Sequence, residues 1–365
     1  MSEQRVWRIA VIPGDGIGPE VIPEGLRVLD ALAGGPAAGP RFTYTHFPWG
    51  CAYYLQTGRM MPADGLDLLA GCDAIYLGAV GWPGGPDHVS LRGLLLPIRR
   101  GLDQYACLRP TRLLPGLQSP LRTVTADRLD FIVVRENTEG EYADAGGIVL
   151  GGGGAPGRVA VQSNVFSEAG CERVMRFAFE LARTRRRRKV TSATKSNAQA
   201  YGMVLWDEVF ARVAAEYPDV ETEQWLVDAL AARFVLRPET LEVVVASNLF
   251  GDILSDLGSA LVGGLGVAAS ANLDPTRRHP SMFEPVHGSA PDIAGRGCAN
   301  PIAAIWSAAL LVDHLGYPAH AARILAAVEA ATAAGQVTPD LGGTLSTREA
   351  GDAVLAHLLS APAAP

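Results

Sequence analysis

Short apolar runs alternate with longer amphipathic stretches along most of the chain. Val6–Ile12, Ala74–Leu77, Phe131–Val134, Val159–Val161, Lys189–Ser192 and Leu241–Ala246 predict strands. Pro19–Leu32, Pro62–Leu69 and Cys171–Ala182 predict helices, and the Ala-rich stretch from Ile302 predicts more of them. Alternation of this kind indicates an α/β protein with a largely parallel central sheet. Gly146–Gly157, with four consecutive glycines and a proline, reads as a flexible hairpin or loop, and Ala361–Pro365 as a frayed end.

The run Leu241–Ala246, apolar at five of six positions, predicts a strand buried on both faces. Asn248-Leu249-Phe250-Gly251-Asp252-Ile253-Leu254-Ser255-Asp256 follows it, with the turn beginning at Ser247 or Asn248. On a helix, Asp252 and Asp256 share one face about a turn apart. Two such carboxylates repel unless a cation lies between them, and hard oxygen ligands suit Mg2+ or Mn2+. A solvated polar face is the other reading, and the pair alone does not choose.

Composition narrows the classes. The 365 residues suffice for about two domains, with 48% hydrophobic and 19% charged residues typical of a globular chain. A net charge of −7 speaks against a general nucleic-acid binder. The basic run Arg183, Arg185–Lys189 fits a solvated helix end, with a nucleic-acid patch as the weaker reading. Five scattered cysteines without a CxxC suggest reduced thiols in the cytoplasm. Neither a signal-peptide apolar region nor an apolar run of about 18 residues is present, so no membrane attachment is expected.

Gly14-Asp15-Gly16-Ile17-Gly18-Pro19 sits between the first strand and helix but does not fit G-x-G-x-x-G. It is either a structural turn or a place where backbone approaches a ligand. Arg99, Arg109 and Arg135 stand in apolar or tightly turning surroundings, where a guanidinium can grip a carboxylate if the three converge. Tyr142 and Lys195 are candidate general acid and base, and Asp228 is a third candidate carboxylate for a metal. The turn-rich loop Glu284–Gly295 carries His287 and an acid, Asp292, able to bind ribose hydroxyls and repel a 2′-phosphate.

Together these motifs resemble the β-decarboxylating hydroxyacid dehydrogenases, which include isopropylmalate, isocitrate, homoisocitrate and tartrate/D-malate dehydrogenases. The resemblance runs from Gly14 to Pro301 and is most specific over Asn248–Asp256 and its glycine-rich continuation to Gly266. Wording closest to the tartrate/D-malate group occurs at Pro86–Leu91, Leu94–Arg100, Asp103–Tyr105, Thr194–Asn197, Met203–Trp206 and Ser281–Pro285.

The resemblance implies an isopropylmalate dehydrogenase-like two-domain fold rather than a standard Rossmann fold. Residues 1–104 plus 263–365 would bind cofactor. Residues 105–262 would carry substrate, metal and the dimer contact, with a hairpin arm near 143–166. It further implies NAD-dependent oxidative decarboxylation of a 2-hydroxydiacid, foremost D-malate to pyruvate and CO2, with tartrate also accepted. Asp228, Asp252 and Asp256 would hold Mg2+ or Mn2+, with K+ as an optional further ion. Arg99, Arg109 and Arg135 would clamp substrate carboxylates, Lys195 would deprotonate the 2-hydroxyl, and Tyr142 would help protonate C3. NAD would lie on Glu284, His287, Gly288, Ser289, Ala290 and Asp292 and near Asn300. In relatives the counterparts of Lys195 and Asp228 come from the neighbouring subunit, which implies a homodimer with shared sites.

Departures bear on the substrate. Arg92 replaces a usual Trp, at a position where isopropylmalate dehydrogenases carry Glu. Leu95 replaces the Asn that isocitrate dehydrogenases turn toward a third carboxylate. Cys107, Ile148 and Glu168 also differ from the usual residues. 3-Isopropylmalate dehydrogenase, supported by Leu95, Leu96 and Asp292, is the alternative activity, and a non-catalytic dinucleotide-binding relative the remote one.

Overall fold

The computed structural model describes residues 5–33, 39–84, 87–122, 124–150 and 157–360. Part of the glycine-rich loop, residues 151–156, and the end read as frayed, Ala361–Pro365, lie outside the described residues. The strands in chain order are β1 (Val6–Gly14), β2 (Arg41–His46), β3 (Ala74–Ala79), β4 (Ala106–Arg112), β5 (Asp130–Glu136), β6 (Gly140–Leu150), β7 (Arg158–Val165), β8 (Lys189–Thr194), β9 (Glu221–Leu226), β10 (Val243–Ala246), β11 (Ala269–Leu273) and β12 (Ser281–Pro285).

Two compact units divide the chain. The first comprises Met1–Gln104, Leu108–Asp130 and Gly258–Pro365, and the second comprises Tyr105–Cys107 and Phe131–Leu257.

In the first unit the strand order is β2-β1-β3-β12-β11-β4. β1 is parallel to β2 and β3, β12 is parallel to β3, and β11 is antiparallel to β12. One apolar layer, including Ile12, Leu69, Leu77, Leu94, Ile98 and Met282, fills the space under this sheet. Here the glycines of the first loop have a structural task. A Cβ on Gly16, whose φ is +58°, would lie 1.9 Å from the Ser289 carbonyl oxygen. The same oxygen accepts from Ile17 N–H at 2.8 Å, so the loop staples residue 289 in place.

The second unit has the order β5-β10-β8-β9, all neighbours parallel. Phe131, Val133, Val134 and Val243–Val245 are fully buried there, as two-faced burial of a parallel sheet requires. β6 and β7 pair only with each other, antiparallel, so Val159–Val161 belongs to this separate ribbon. The basic run is largely consumed internally. Arg183 and Arg188 pair with Asp219, Arg185 and Arg187 with buried Glu242, and Lys189 with Glu221 and Glu223. None of the described helices is long and apolar enough to cross a membrane.

Candidate active site

The register of β5 against β10 places Arg135 beside Ala246, two residues before Asn248 begins the helix Asn248–Leu261. Arg135 is only 2% exposed. Its Nε and Nη2 donate to Asn248 Oδ1 at 2.9 and 2.6 Å, and its Nη1 pairs with Asp252. Tyr142 OH donates to the other oxygen, Asp252 Oδ2, at 3.0 Å. Gly251 makes this approach feasible, because a Cβ there would stand 2.6 Å from Arg135 Cβ.

Three acids fix the segment between Arg135 and Tyr142. Buried Glu136 accepts from Thr138 N–H, Thr138 OH and Glu139 N–H; burial nevertheless raises its pKa, against the pull of those donors. Glu139 accepts from the Ser167 N–H and hydroxyl at the start of the helix Glu168–Thr184. Glu141 accepts from Leu249 N–H at 3.1 Å, capping the helix that carries Asp252 and Asp256. A carboxylate at a helix N-terminus also complements its dipole.

Lys195 and Asp228 form a second group. Thr194 and Leu226 are partners in the parallel β8–β9 register, so the two chains leave the sheet side by side. Lys195 Nζ donates to Asp228 Oδ1 at 2.6 Å, and this bond holds the Asp228 carboxyl below the usual carboxylate range. Among the described residues no three His, Cys, Asp or Glu side chains gather to hold a metal. One chain therefore does not assemble Asp228, Asp252 and Asp256 into a triad. Asp252 and Asp256, hard oxygen donors one helical turn apart, still fit one side of a divalent-cation site.

In the first unit, Arg99 and Arg109 are buried. Arg99 Nη2 donates to Glu284 Oε1 at 2.8 Å, and Asn272 Nδ2 donates to the same oxygen at 2.8 Å. Glu284 thus lies within β12, one residue before its end, rather than starting a loop, and its carboxylate is engaged with Arg99. Arg92 and Leu95 lie on a π-helical turn, Leu91–Leu95, a widened geometry often found at functional positions. Arg92 is exposed and lines a cleft of about 500 Å³ with Tyr54, Arg59, Met60, Met61 and Val89.

The candidate cofactor residues occupy the segment after β12. His287 is buried; its Nδ1 lies 3.0 Å from Gly288 O, its Nε2 has no partner among the described residues, and burial lowers its pKa. Ala290 has a positive φ of 40°, Asp292 is exposed, and Asn300 bonds Asp340 and the Ile302 N–H. The residues that sequence reasoning missed are Asn248, Glu141 and Asn272 as donors or acceptors and Gly251 as the point of close approach. Only Asn248 and Gly251 carried a signal, as members of the Asn248–Asp256 motif.

The model of the isocitrate/isopropylmalate dehydrogenase family matches residues 8–354. The chain belongs to that family. It is 54% identical over 350 residues to a probable tartrate dehydrogenase/decarboxylase of Agrobacterium vitis, covering 96% of this chain and 95% of the relative. It is 51% identical over 363 residues to the decarboxylating D-malate dehydrogenase of Escherichia coli K12, covering 97% and 99%. The crystal structure of isocitrate dehydrogenase from Methylococcus capsulatus superposes with a TM-score of 0.87 at 34% identity, covering 97% and 100%. The α/β architecture with largely parallel strands is that of this family, and the protein is a decarboxylating hydroxyacid dehydrogenase.

Proposed function

We propose that the protein oxidatively decarboxylates D-malate to pyruvate and CO2 using NAD+ and a divalent metal, and also accepts tartrate. The observation that carries this reading is the convergence of Arg135 and Tyr142 on Asn248 and Asp252 of one helix. The names of relatives covering nearly the whole chain supply the substrate class.

In this reading Asp252, Asp256 and Asp228 hold Mg2+ or Mn2+, while the segment from Glu284 to Asp292, with Asn300, receives NAD+. When bound, the metal would supply Lewis acidity toward the 2-hydroxy acid and the nicotinamide would supply hydride-accepting capacity. Arg135, Arg99 and Arg109 grip substrate carboxylates. Lys195 takes the proton of the 2-hydroxyl, and Tyr142 returns one to C3 after CO2 has left. The first unit is then the cofactor domain and the second the substrate domain.

A second copy of the chain completes the site. β6 and β7 expose Ile148, Val149, Val159 and Val161, with Ile148 at 64%. Val149, Val159 and Val161 share one face of the ribbon and Ile148 lies on the other; a two-stranded ribbon is marginal alone in water, and exposed apolar residues grouped on one face mark an interface. In the proposed homodimer Lys195 and Asp228 serve the neighbouring subunit. None of the five cysteines is in a disulfide, which suits a cytoplasmic enzyme.

The test is turnover of purified protein on D-malate, tartrate isomers, 3-isopropylmalate and isocitrate with NAD+ and Mn2+. NADH and pyruvate should appear with D-malate. No turnover on any member of the panel overturns the reading, and a higher catalytic efficiency on 3-isopropylmalate replaces the substrate.

A further inference from the structure

Asn248 is 1% exposed and opens the helix that carries the two metal-binding candidates, yet Glu141 caps the next N–H. Ser247 OH donates to that same Glu141 carboxylate. Asn248 instead spends its carbonyl oxygen on Arg135, accepting from Nε and Nη2 together, and donates through Nδ2 to Glu139 O at 3.2 Å. One edge of the guanidinium is thereby fixed to the helix start and, through Glu139, to the turn that leads to Tyr142.

The choice of an amide has a physical consequence. Asp252 already offsets part of the guanidinium's charge at Nη1; a neutral acceptor orients the other edge without offsetting more of it, whereas a second carboxylate there would oppose an incoming anion. A free arginine side chain has large rotamer freedom, and fixing it in advance reduces the cost of binding.

We propose that Asn248 is a positioning residue that acts on substrate-carboxylate recognition only through Arg135. This rests on the reading of Arg135 as a carboxylate ligand given under the proposed function. Asn248 itself touches neither substrate nor cofactor.

The experiment is a double-mutant cycle on the full-length protein, read as D-malate affinity by calorimetry at saturating Mn2+, without NAD+. Asn248→Ala should weaken D-malate binding by about tenfold and Arg135→Ala by more. In the Arg135→Ala background, Asn248→Ala should change affinity by less than about twofold. A residue that merely supported the helix would lower the melting temperature and leave affinity alone, or its effect would multiply with that of Arg135→Ala. Either result overturns the proposal.

Should Asn248→Ala fail to fold, Asn248→Asp keeps the shape and both acceptor contacts to Arg135 while adding charge and losing the donation to Glu139 O. It should also weaken D-malate binding by about tenfold, and wild-type affinity in that variant overturns the proposal. Wild-type binding is measured first, with D-malate and then tartrate. If neither binds, the functional reading fails and takes this inference with it. If wild type binds but the cycle multiplies, this inference alone fails.

Discussion

Lys195 Nζ donates to Asp228 Oδ1 at 2.6 Å, and the two side chains meet because β8 and β9 run in parallel register to their ends. The proposed base is therefore held by a proposed metal ligand of the same chain. Removing the amine should abolish proton abstraction while sparing the fold, since the lysine side chain is partly exposed. Lys195→Met should lower kcat for D-malate oxidation by about 100- to 10,000-fold, the usual range for loss of a general base. NADH formation measures this, with the melting temperature and the oligomeric state unchanged from wild type. Turnover near the parent rate would remove Lys195 from the mechanism.

Gly251 offers a test of how tightly the helix must sit on β5. An alanine there would place its Cβ 2.6 Å from Arg135 Cβ, 2.7 Å from Cγ and 3.1 Å from Cα. These atoms belong to the root of the side chain and the backbone, so they cannot swing away. The helix preference of alanine over glycine, about 1 kcal/mol, offsets part of an overpacking cost of about 1–3 kcal/mol. Gly251→Ala should lower the melting temperature by a few degrees and raise KM for D-malate by about tenfold through a displaced Arg135. An unchanged KM would show that Arg135 does not depend on this contact.

Much of this arrangement could be read from the sequence, and the exceptions have physical causes. The buried strands β1, β3, β5 and β10 announce themselves as apolar runs, whereas β8 is buried with only Val190 and Ala193 apolar. β9, Glu-Thr-Glu-Gln-Trp-Leu, stands at one end of its strand order and does not announce itself. β12 hid in a segment containing Pro and Glu; it is a strand because Arg99 and Asn272 satisfy the buried Glu284 carboxylate. The placement of Asp252 and Asp256 one turn apart on a helix was legible from spacing, which left a metal site and a solvated face equally open. The grip of Asn248 on Arg135 was not, because it depends on a β5–β10 register between residues far apart in the chain.

His314 predicts a pH dependence of stability. It ends the helix Ile302–His314 against the Phe283 ring, where burial, with Arg277 nearby, pushes its pKa down to about 4. The unfolded value is about 6.5, so below that pH the unfolded chain binds the proton more readily. The contribution is therefore complete above pH 6.5 and is lost as pH falls from 6.5 toward 4, up to about 3 kcal/mol. His314→Phe should flatten this part of the denaturant-midpoint profile relative to wild type. Parallel profiles for the two proteins would show that His314 does not bind its proton differently on unfolding.

Arg92 carries the last prediction, on substrate choice. It sits on the π-helical turn and lines a cleft whose other walls include Tyr54, Met60, Met61 and Val89. Among mostly apolar neighbours, an exposed guanidinium is the group suited to a hydroxyl or charge on the substrate's C3 side. Tartrate has a C3 hydroxyl and D-malate does not. Arg92→Ala should therefore lower kcat/KM for tartrate more than for D-malate, shifting the ratio by about tenfold, equivalent to about 1.4 kcal/mol of differential transition-state binding. The same variant should leave the Mn2+ requirement unchanged, because no metal candidate lies on that helix. Equal losses on the two substrates would assign Arg92 to general electrostatics, and no loss on either would leave the choice to Leu95.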